Sequence, residues 1–528
     1  MIRVLGVSAP HIVKKDDNIE SSSLNSSDPF SLYNAYKVCC DKAEKGDYDW
    51  SNSNWKTREG RNNSIMLLQY YENEVPLFIE KIKEIRPNIL FIGTMALGMP
   101  GAVKLAEIAK DVLKDEVFIV VGGKHIIETL YSYDNNIYQL ESSPLTLMKK
   151  NKIPKVFDMV SAGDGEEILY EIGKAVNYCD ENNLPLKHVY DYKNFKRAKG
   201  YWVLGWLDDN NEYKYVVSNN EKLDYDSMPL TTDLFRTTAK FDIFDDCDLT
   251  AHTMSFMSKG CVHNCFYCSE SSKINGPLCQ VQTAPERLYK NLKSIERVGK
   301  ELYNTDKMSA FIEDSILLSG NPNLLAKLSY LLKENPINVK FGAQFTIDRL
   351  LDKKVQNEIR KLSKQGFDYI FVGLETNNEE IAKTMSKNRN ELSWNEKNEE
   401  AIKFINEVGM KYGVSVLLGL GENQEDRIKL MNTIKGWKSK YGIPNCISMN
   451  LAVQHPLQNN ELYDYIEWGT DKDSEYLSIF NELFGEASEK YKLPNITIPT
   501  VEELYDIKKI YDEINGVDKK NIKRIVLK

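Results

Sequence analysis

Apolar and polar positions follow two rhythms along this chain, and the two alternate. Over roughly the first 190 residues, short apolar runs such as "IRVLGVS", "NILFIGT", "VFIVVGG" and "DMVSAG" are too short for helices and end at glycine or polar turns, so they are read as strands. Helix-period segments lie between them. "DPFSLYNAYKVCCDKAEKG" has Asp28 for an N-cap, Pro29 for the first helical position and Gly46 for a stop. "VPLFIEKIKEIRP" and "GAVKLAEIAKDVLKDE" read the same way, and a further helix opens on Glu166 and Glu167, acids at its positive end. Such alternation predicts an α/β, Rossmann-like, doubly wound parallel sheet covered by helices. The polar stretch at residues 46 to 64, rich in Trp, Asn and Arg, predicts a long loop.

The rhythm then changes. Within residues 191–245, "GYWVLGWLDDNNEYKYVVS" predicts a β-hairpin around its DDNN turn, and "LDYDSMPLTTDLF" an extended link containing Pro229. From 246 to 456 strand and helix alternate again. Six strands are read, in "TMSFMSKG", "MSAFIEDSI", "VKFGAQFTI", "FDYIFVGLET", "KYGVSVLLGLGE" and "ISMNLAVQ", the first five each followed by a helix. Six βα units predict a partial (β/α)6 barrel of the TIM type, whose chemistry gathers where the strands end. Residues 457–528 read as mostly helical, and the basic stretch "GVDKKNIKRIVLK" as a solvated tail.

Composition narrows the functional classes. A net charge of -9 lacks the basic footprint of a nucleic-acid coat, so no nucleic-acid partner is expected. No apolar run is long enough to cross a bilayer, and the first residues read as a strand, so a cytoplasmic protein without membrane contact is expected. Thiols stay reduced there, so nine cysteines do not suggest disulfides. Cys39, Cys40, Cys179 and Cys446 read as ordinary buried or partly buried helix and strand residues.

Three others do not. "SKGCVHNCFYCSES" sets Cys261, Cys265 and Cys268 in a C-x-x-x-C-x-x-C spacing, which chance composition would yield about 0.003 times in such a chain. Thiolates suit zinc or an iron–sulfur cluster. Zinc would need a fourth ligand, for which Cys279 serves better than His263, wedged between two ligands. A cluster normally takes four cysteines, so three leave one iron open to a reactant.

The spacing, with Tyr267 before the third cysteine and a βα barrel following, resembles the radical S-adenosylmethionine (SAM) superfamily. The resemblance implies a 4Fe–4S cluster on the three cysteines and SAM chelating its open iron. An electron from the cluster, supplied by a donor such as flavodoxin or ferredoxin, would cleave SAM to a 5′-deoxyadenosyl radical. It also implies roles at the strand ends. Glu313 or Asp314 would hold the SAM amino group, and Gln344 and Arg349 would face its carboxylate or the substrate. Glu375 would reach the ribose, and Gly419 and Gly421, in a shortened G-L-G-E segment, would lie beside adenine. "VQHPLQNNELY" resembles the family's closing signature at Pro456, Leu462 and Tyr463.

The front segments "PNILFIGTMALGMPGAVKLAEIAK", "VFIVVGGKHIIE" and "DMVSAGDGEEIL" are similar to the cobalamin-binding domain fused to many radical SAM enzymes. Thr94, Gly122, Gly123, His125, Gly163, Gly165 and Glu166 are the implied cobalamin residues. Glycines after parallel strands do admit a large ligand close to the backbone, although they also simply make tight turns. The D-x-H-x-x-G motif is absent, with Ala9 and Lys14 flanking His11 where Asp and Gly would stand, so cobalamin without a histidine ligand is expected. The implied activity is cobalamin-dependent methylation of an unactivated carbon in a small molecule or peptide. A radical rearrangement, cyclisation or oxidation using the front domain as scaffold is the alternative, and a non-catalytic iron–sulfur or cobalamin sensor is an alternative of another class.

Overall fold

The computed structural model describes residues 3–10, 63–67, 71–95, 98–228, 230, 238–239, 242–255, 261, 265, 267–268, 270, 281–384, 393–442, 444–452, 476, 479–480, 482–484, 498–515 and 524–525. The helix read at 28–46, His11, His263, Cys279, Pro456, Leu462 and Tyr463 lie outside them.

Two sheets organise the chain. The front sheet holds β1 (Val4–Ser8), β2 (Asn63–Leu67), β3 (Ile89–Gly93), β4 (Phe118–Gly122), β7 (Met159–Gly163), β8 (Trp202–Leu207) and β9 (Tyr213–Val217), in the order β2-β1-β3-β4-β7-β8-β9. The first five pair in parallel. Their order reverses between β1 and β3, the crevice where doubly wound sheets receive ligands. Fully buried strand residues on alternate faces pack two separate cores, one around Leu90, Ile92, Val121 and the helix Met99–Leu113, the other around Phe91, Val120 and the helix Ile168–Glu181. A small hairpin of β5 (Leu130–Tyr133) and β6 (Asn136–Gln139), turning on Asp134 and Asn135, forms a sheet of its own.

The sequence differs from the structure at this sheet's margins. β2 arises where the polar loop was expected to end. The hairpin assigned to the connecting segment joins the front sheet instead, β8 running antiparallel to β7 from Val160–Gly205 to Gly163–Trp202. Buried Trp202, Leu204 and Trp206 of β8 complete one of the front sheet's cores.

The second sheet runs β16-β15-β14-β13-β12-β11-β10-β17. Six consecutive strands are parallel: β11 (Leu249–Thr253), β12 (Met308–Ile312), β13 (Val339–Phe345), β14 (Phe367–Glu375), β15 (Lys411–Leu418) and β16 (Cys446–Leu451). Helices follow the first five, and those beginning after Asn321, Asp352, Ser393 and Asn423 are opened by those side chains bonding the first-turn amides. Alternate strand residues such as Ala310, Ala343, Val372 and Val414 join one large core with these helices. The first strand lies at Leu249–Thr253, beginning four residues before the segment the sequence favoured. Its "LTAHT" has only Leu249 and Ala251 as apolar members, so its pattern is faint. β10 (Thr238–Ala239) and β17 (Arg524–Ile525) add antiparallel edges, so the basic tail is partly paired and not wholly solvated as expected. The helix Val501–Asn515 packs on Gln424–Tyr441 through Lys435–Glu513 and Gln424. Among the described residues no helix is long and apolar enough to cross a membrane.

Candidate active site

The three cysteines follow β11 at the carboxyl end of the parallel strands, the end where βα barrels build their sites. The loop closes on itself: the Cys261 amide donates to the Glu270 carbonyl, and the Cys268 amide donates to the Cys265 carbonyl at 3.1 Å. Cys265 is buried, and Cys261 and Cys268 are half-buried. Burial first, then the Glu270 carboxylate, pushes the Cys268 thiol up to about 12. Three thiols in one short loop form a soft donor set suited to a cluster. Among the described residues no three His, Cys, Asp or Glu side chains converge as they would on a single metal ion.

Around this loop the structure gathers several expected residues. Tyr267 lies in the same loop, and burial, then Glu375, Cys265 and Cys268 in turn, hold its hydroxyl well above its ordinary pKa. Glu375 itself is buried, sits at a register shift in β14 and has φ +58°, a conformation that costs a non-glycine residue energy and is held by its surroundings. At the end of β12, the two neighbouring acids separate in role. Asp314 is spent on structure: its carboxylate accepts from the Ser255 amide at 2.8 Å and hydroxyl at 2.6 Å, tying β12 to the strand that leads into the cysteines. Burial nonetheless raises its pKa. Glu313 instead pairs with His252 Nδ1 across the inner side of β11 and β12, both side chains under a tenth exposed. His252 was not singled out in the sequence; its alternation with Leu249 and Ala251 was the available signal.

Gln344 is half-buried at the end of β13, and Arg349 stands in the short helix Ile347–Leu351 that follows, with its stem packed beside Gly320. The Gly419–Glu422 turn after β15 is drawn shut by Glu422, which accepts from the Gly419 amide at 2.6 Å and the Leu420 amide at 2.7 Å. Arg427 pairs with Glu422 at 2.8 Å and with Glu503 at 3.3 Å, fastening the turn to the C-terminal helix. Neither Glu422's closure nor Arg427 was foreseen.

On the front sheet, Thr94, Gly122, Gly123, Gly163 and Gly165 all fall at the carboxyl edge, as expected of parallel strands. Gly123 has φ +102°, and a Cβ there would sit 2.5 Å from the Thr94 amide nitrogen, so only glycine fits the turn. Next to Gly163 a cavity of about 340 Å³ opens between Tyr131, Tyr133, Tyr201 and Asn220. His125 does not face that edge: it is fully buried, with Nε2 3.2 Å from the Ser142 carbonyl oxygen. Glu166 is likewise buried.

The two sheets meet at this point. Lys124, next to Gly123, forms an ion pair with Glu270, and the Ser315 hydroxyl after β12 donates to the same carboxylate at 2.7 Å. Neither partner was singled out in the sequence; a contact spanning 146 residues leaves no local pattern.

Comparison with known proteins agrees with this geometry. Residues 255–434 match the model of the radical SAM superfamily. No curated protein matches the chain in sequence. Among solved structures, the chain is similar to the cobalamin-dependent S-adenosylmethionine radical enzyme OxsB with aqua-cobalamin and SAM bound, at TM-score 0.52 and 13% identity, covering 99% of this chain and 64% of that one. It is also similar to the radical SAM methyltransferase TsrM from Kitasatospora setae with tryptophan substrate and a SAM analog, at TM-score 0.50 and 12% identity, covering 87% of this chain and 75% of that one. This chain thus spans less than two thirds of OxsB. The chain therefore carries a radical SAM domain, in a fold that it shares with cobalamin-dependent radical SAM enzymes.

Proposed function

We propose that the protein is a cobalamin-dependent radical SAM methyltransferase acting on an unactivated carbon of a small-molecule or peptide substrate. The observation that supports this most is the contact between the glycine turn after β4 and the cysteine loop, through Lys124 and Glu270. A ligand on the front edge and one on the cysteines would face each other there, as transfer between two cofactors requires. Bound together, the cluster, SAM and cobalamin would supply a 5′-deoxyadenosyl radical and a transferable methyl group.

This chain's residues do the holding and orienting. Cys261, Cys265 and Cys268 would ligate the cluster, and Tyr267, between the second and third of them in sequence, would lie beside SAM. Glu313, already oriented by His252, is better placed than Asp314 to receive the SAM amino group, because Asp314 is committed to Ser255. Glu375 would meet the ribose and the Gly419–Glu422 turn the adenine, with Gln344 and Arg349 toward the carboxylate or the substrate. Thr94, Gly122, Gly123, Gly163 and Gly165 would cradle the corrinoid. A flavodoxin- or ferredoxin-type protein would deliver the electron.

The test is anaerobic reconstitution with iron, sulfide and cobalamin, followed by addition of SAM and reductant. A cluster spectrum with a cobalamin band, release of 5′-deoxyadenosine and formation of S-adenosylhomocysteine are expected. A cluster without a cobalamin band leaves radical chemistry and removes methyl transfer. A cluster that never yields 5′-deoxyadenosine refutes the enzymatic reading. Replacing any of the three cysteines by alanine should abolish 5′-deoxyadenosine formation.

A further inference from the structure

Glu270 is where the cysteine loop is pinned. Its carbonyl accepts from the Cys261 amide, and its carboxylate is held by Ser315 of the barrel and Lys124 of the front domain. The Lys124 and Glu270 side chains are 20% and 32% exposed, so the pair is largely withdrawn from water and its charges are poorly screened. The Lys124 ammonium and the Ser315 hydroxyl share the Glu270 carboxylate, which stands two residues along the chain from Cys268.

We propose that Lys124 is a positioning residue through which the front domain sets the reduction potential of the cluster held by Cys261, Cys265 and Cys268. This inference rests on the radical SAM reading above. One-electron reduction by an external donor adds a negative charge to the cluster, and the surrounding charge and hydrogen bonding tune its cost. A lone carboxylate two residues from Cys268 would oppose that electron. Lys124 offsets it, and as part of the β4 turn it does so only while the front domain is seated on the loop. The two domains are thereby linked electrically as well as sterically.

The two halves of the pair should act in opposite directions, which a purely structural contact would not produce. In reconstituted full-length protein, Lys124→Met should move the cluster's midpoint potential to more negative values, because Glu270 is left uncompensated. Glu270→Gln should move it to more positive values, because the Lys124 charge then acts alone. The double variant should return close to wild type. The readout is a dithionite-driven redox titration followed by electron paramagnetic resonance, with iron and sulfide content and melting temperature measured alongside. Single variants that shift the potential in the same direction, or that lose melting temperature while keeping the wild-type potential, overturn the proposal. A wild-type chain that takes up no iron removes both the radical SAM reading and this inference. A loaded wild type whose variants keep its potential removes the inference alone.

Discussion

The hydroxyl of Tyr369 occupies the space that a methyl group on residue 413 would need. Tyr369 points from β14 into the inner side of the barrel, fully buried beside Phe244 and Phe311 at ring separations of 6.2 and 6.3 Å, and glycines at 342 and 413 make room for it on both flanking strands. Tyr369 stands near the start of β14, whereas Glu375 stands at its end. Gly413→Ala should therefore cost about 1–3 kcal/mol by overpacking, read from chemical denaturation. Because the offending atom is the hydroxyl oxygen, adding Tyr369→Phe should recover part of that loss. A Gly413→Ala protein as stable as wild type would show that the ring is not held there.

The His252–Glu313 pair supports a second expectation. Glu313→Gln should weaken SAM binding at least about tenfold, the scale of losing one charge-assisted hydrogen bond, with cluster content unchanged. His252→Gln should weaken it less, since the carboxylate survives without its guide. Equilibrium dialysis with the reconstituted protein measures both. Unchanged affinity in Glu313→Gln would reassign the SAM amino group to another residue.

Arg287 joins three elements. Its guanidinium, buried in the first turns of the helix Ala284–Leu302, donates to the Ser255 carbonyl at 2.8 Å and to Asp226 of the connecting segment at 2.5 Å. Arg287→Gln should cost about 3 kcal/mol, because Asp226 and the Ser255 carbonyl lose a charged donor together. Hydrogen exchange at residues 224–228 should rise as well. Exchange there that stays at the wild-type rate would mean that the segment is held by other contacts.

Acid should loosen the bottom of the barrel. Hydrogen bonds from Lys411 and Lys340 hold the Asp245 and Asp246 carboxyls below their ordinary value of 3.8. A carboxyl lowered on folding stabilises the fold above its unfolded value, and that contribution disappears as pH falls through the lower folded value. Both aspartates are more than half exposed, so screening limits each pair to roughly 1 kcal/mol or less. The stability difference between wild type and Lys340→Met/Lys411→Met should stay constant at neutral pH and narrow below 3.8. A difference that persists unchanged into stronger acid would assign it to packing of the lysine stems.

What was legible in the sequence followed from local pattern. The parallel strands of both sheets, apart from faint β11 and overlooked β2, announce themselves by short apolar runs, several of them closed by glycine or a polar turn, and the cysteine spacing is a signal contained within eight residues. What escaped depends on distance along the chain. The partners of β8, β10 and β17 lie far along the chain, and no residue near them records those pairings. The same holds for Lys124 with Glu270 and for Arg427 with Glu503. Glu313 and Asp314 show the limit most sharply: identical in class and adjacent, they differ because strand alternation turns one toward His252 and the other toward Ser255.

The large sheet ends at β16 on one side and β17 on the other, and among the described residues these two do not pair. A cylinder of strands bonded all the way round has a girth set by its ladder, and widening it would mean tearing amides from carbonyls. An interrupted cylinder has no such hoop. Its margins can part or approach by small rotations at each strand, leaving every rung intact, so the calibre of the chamber is adjustable at little cost in backbone bonding.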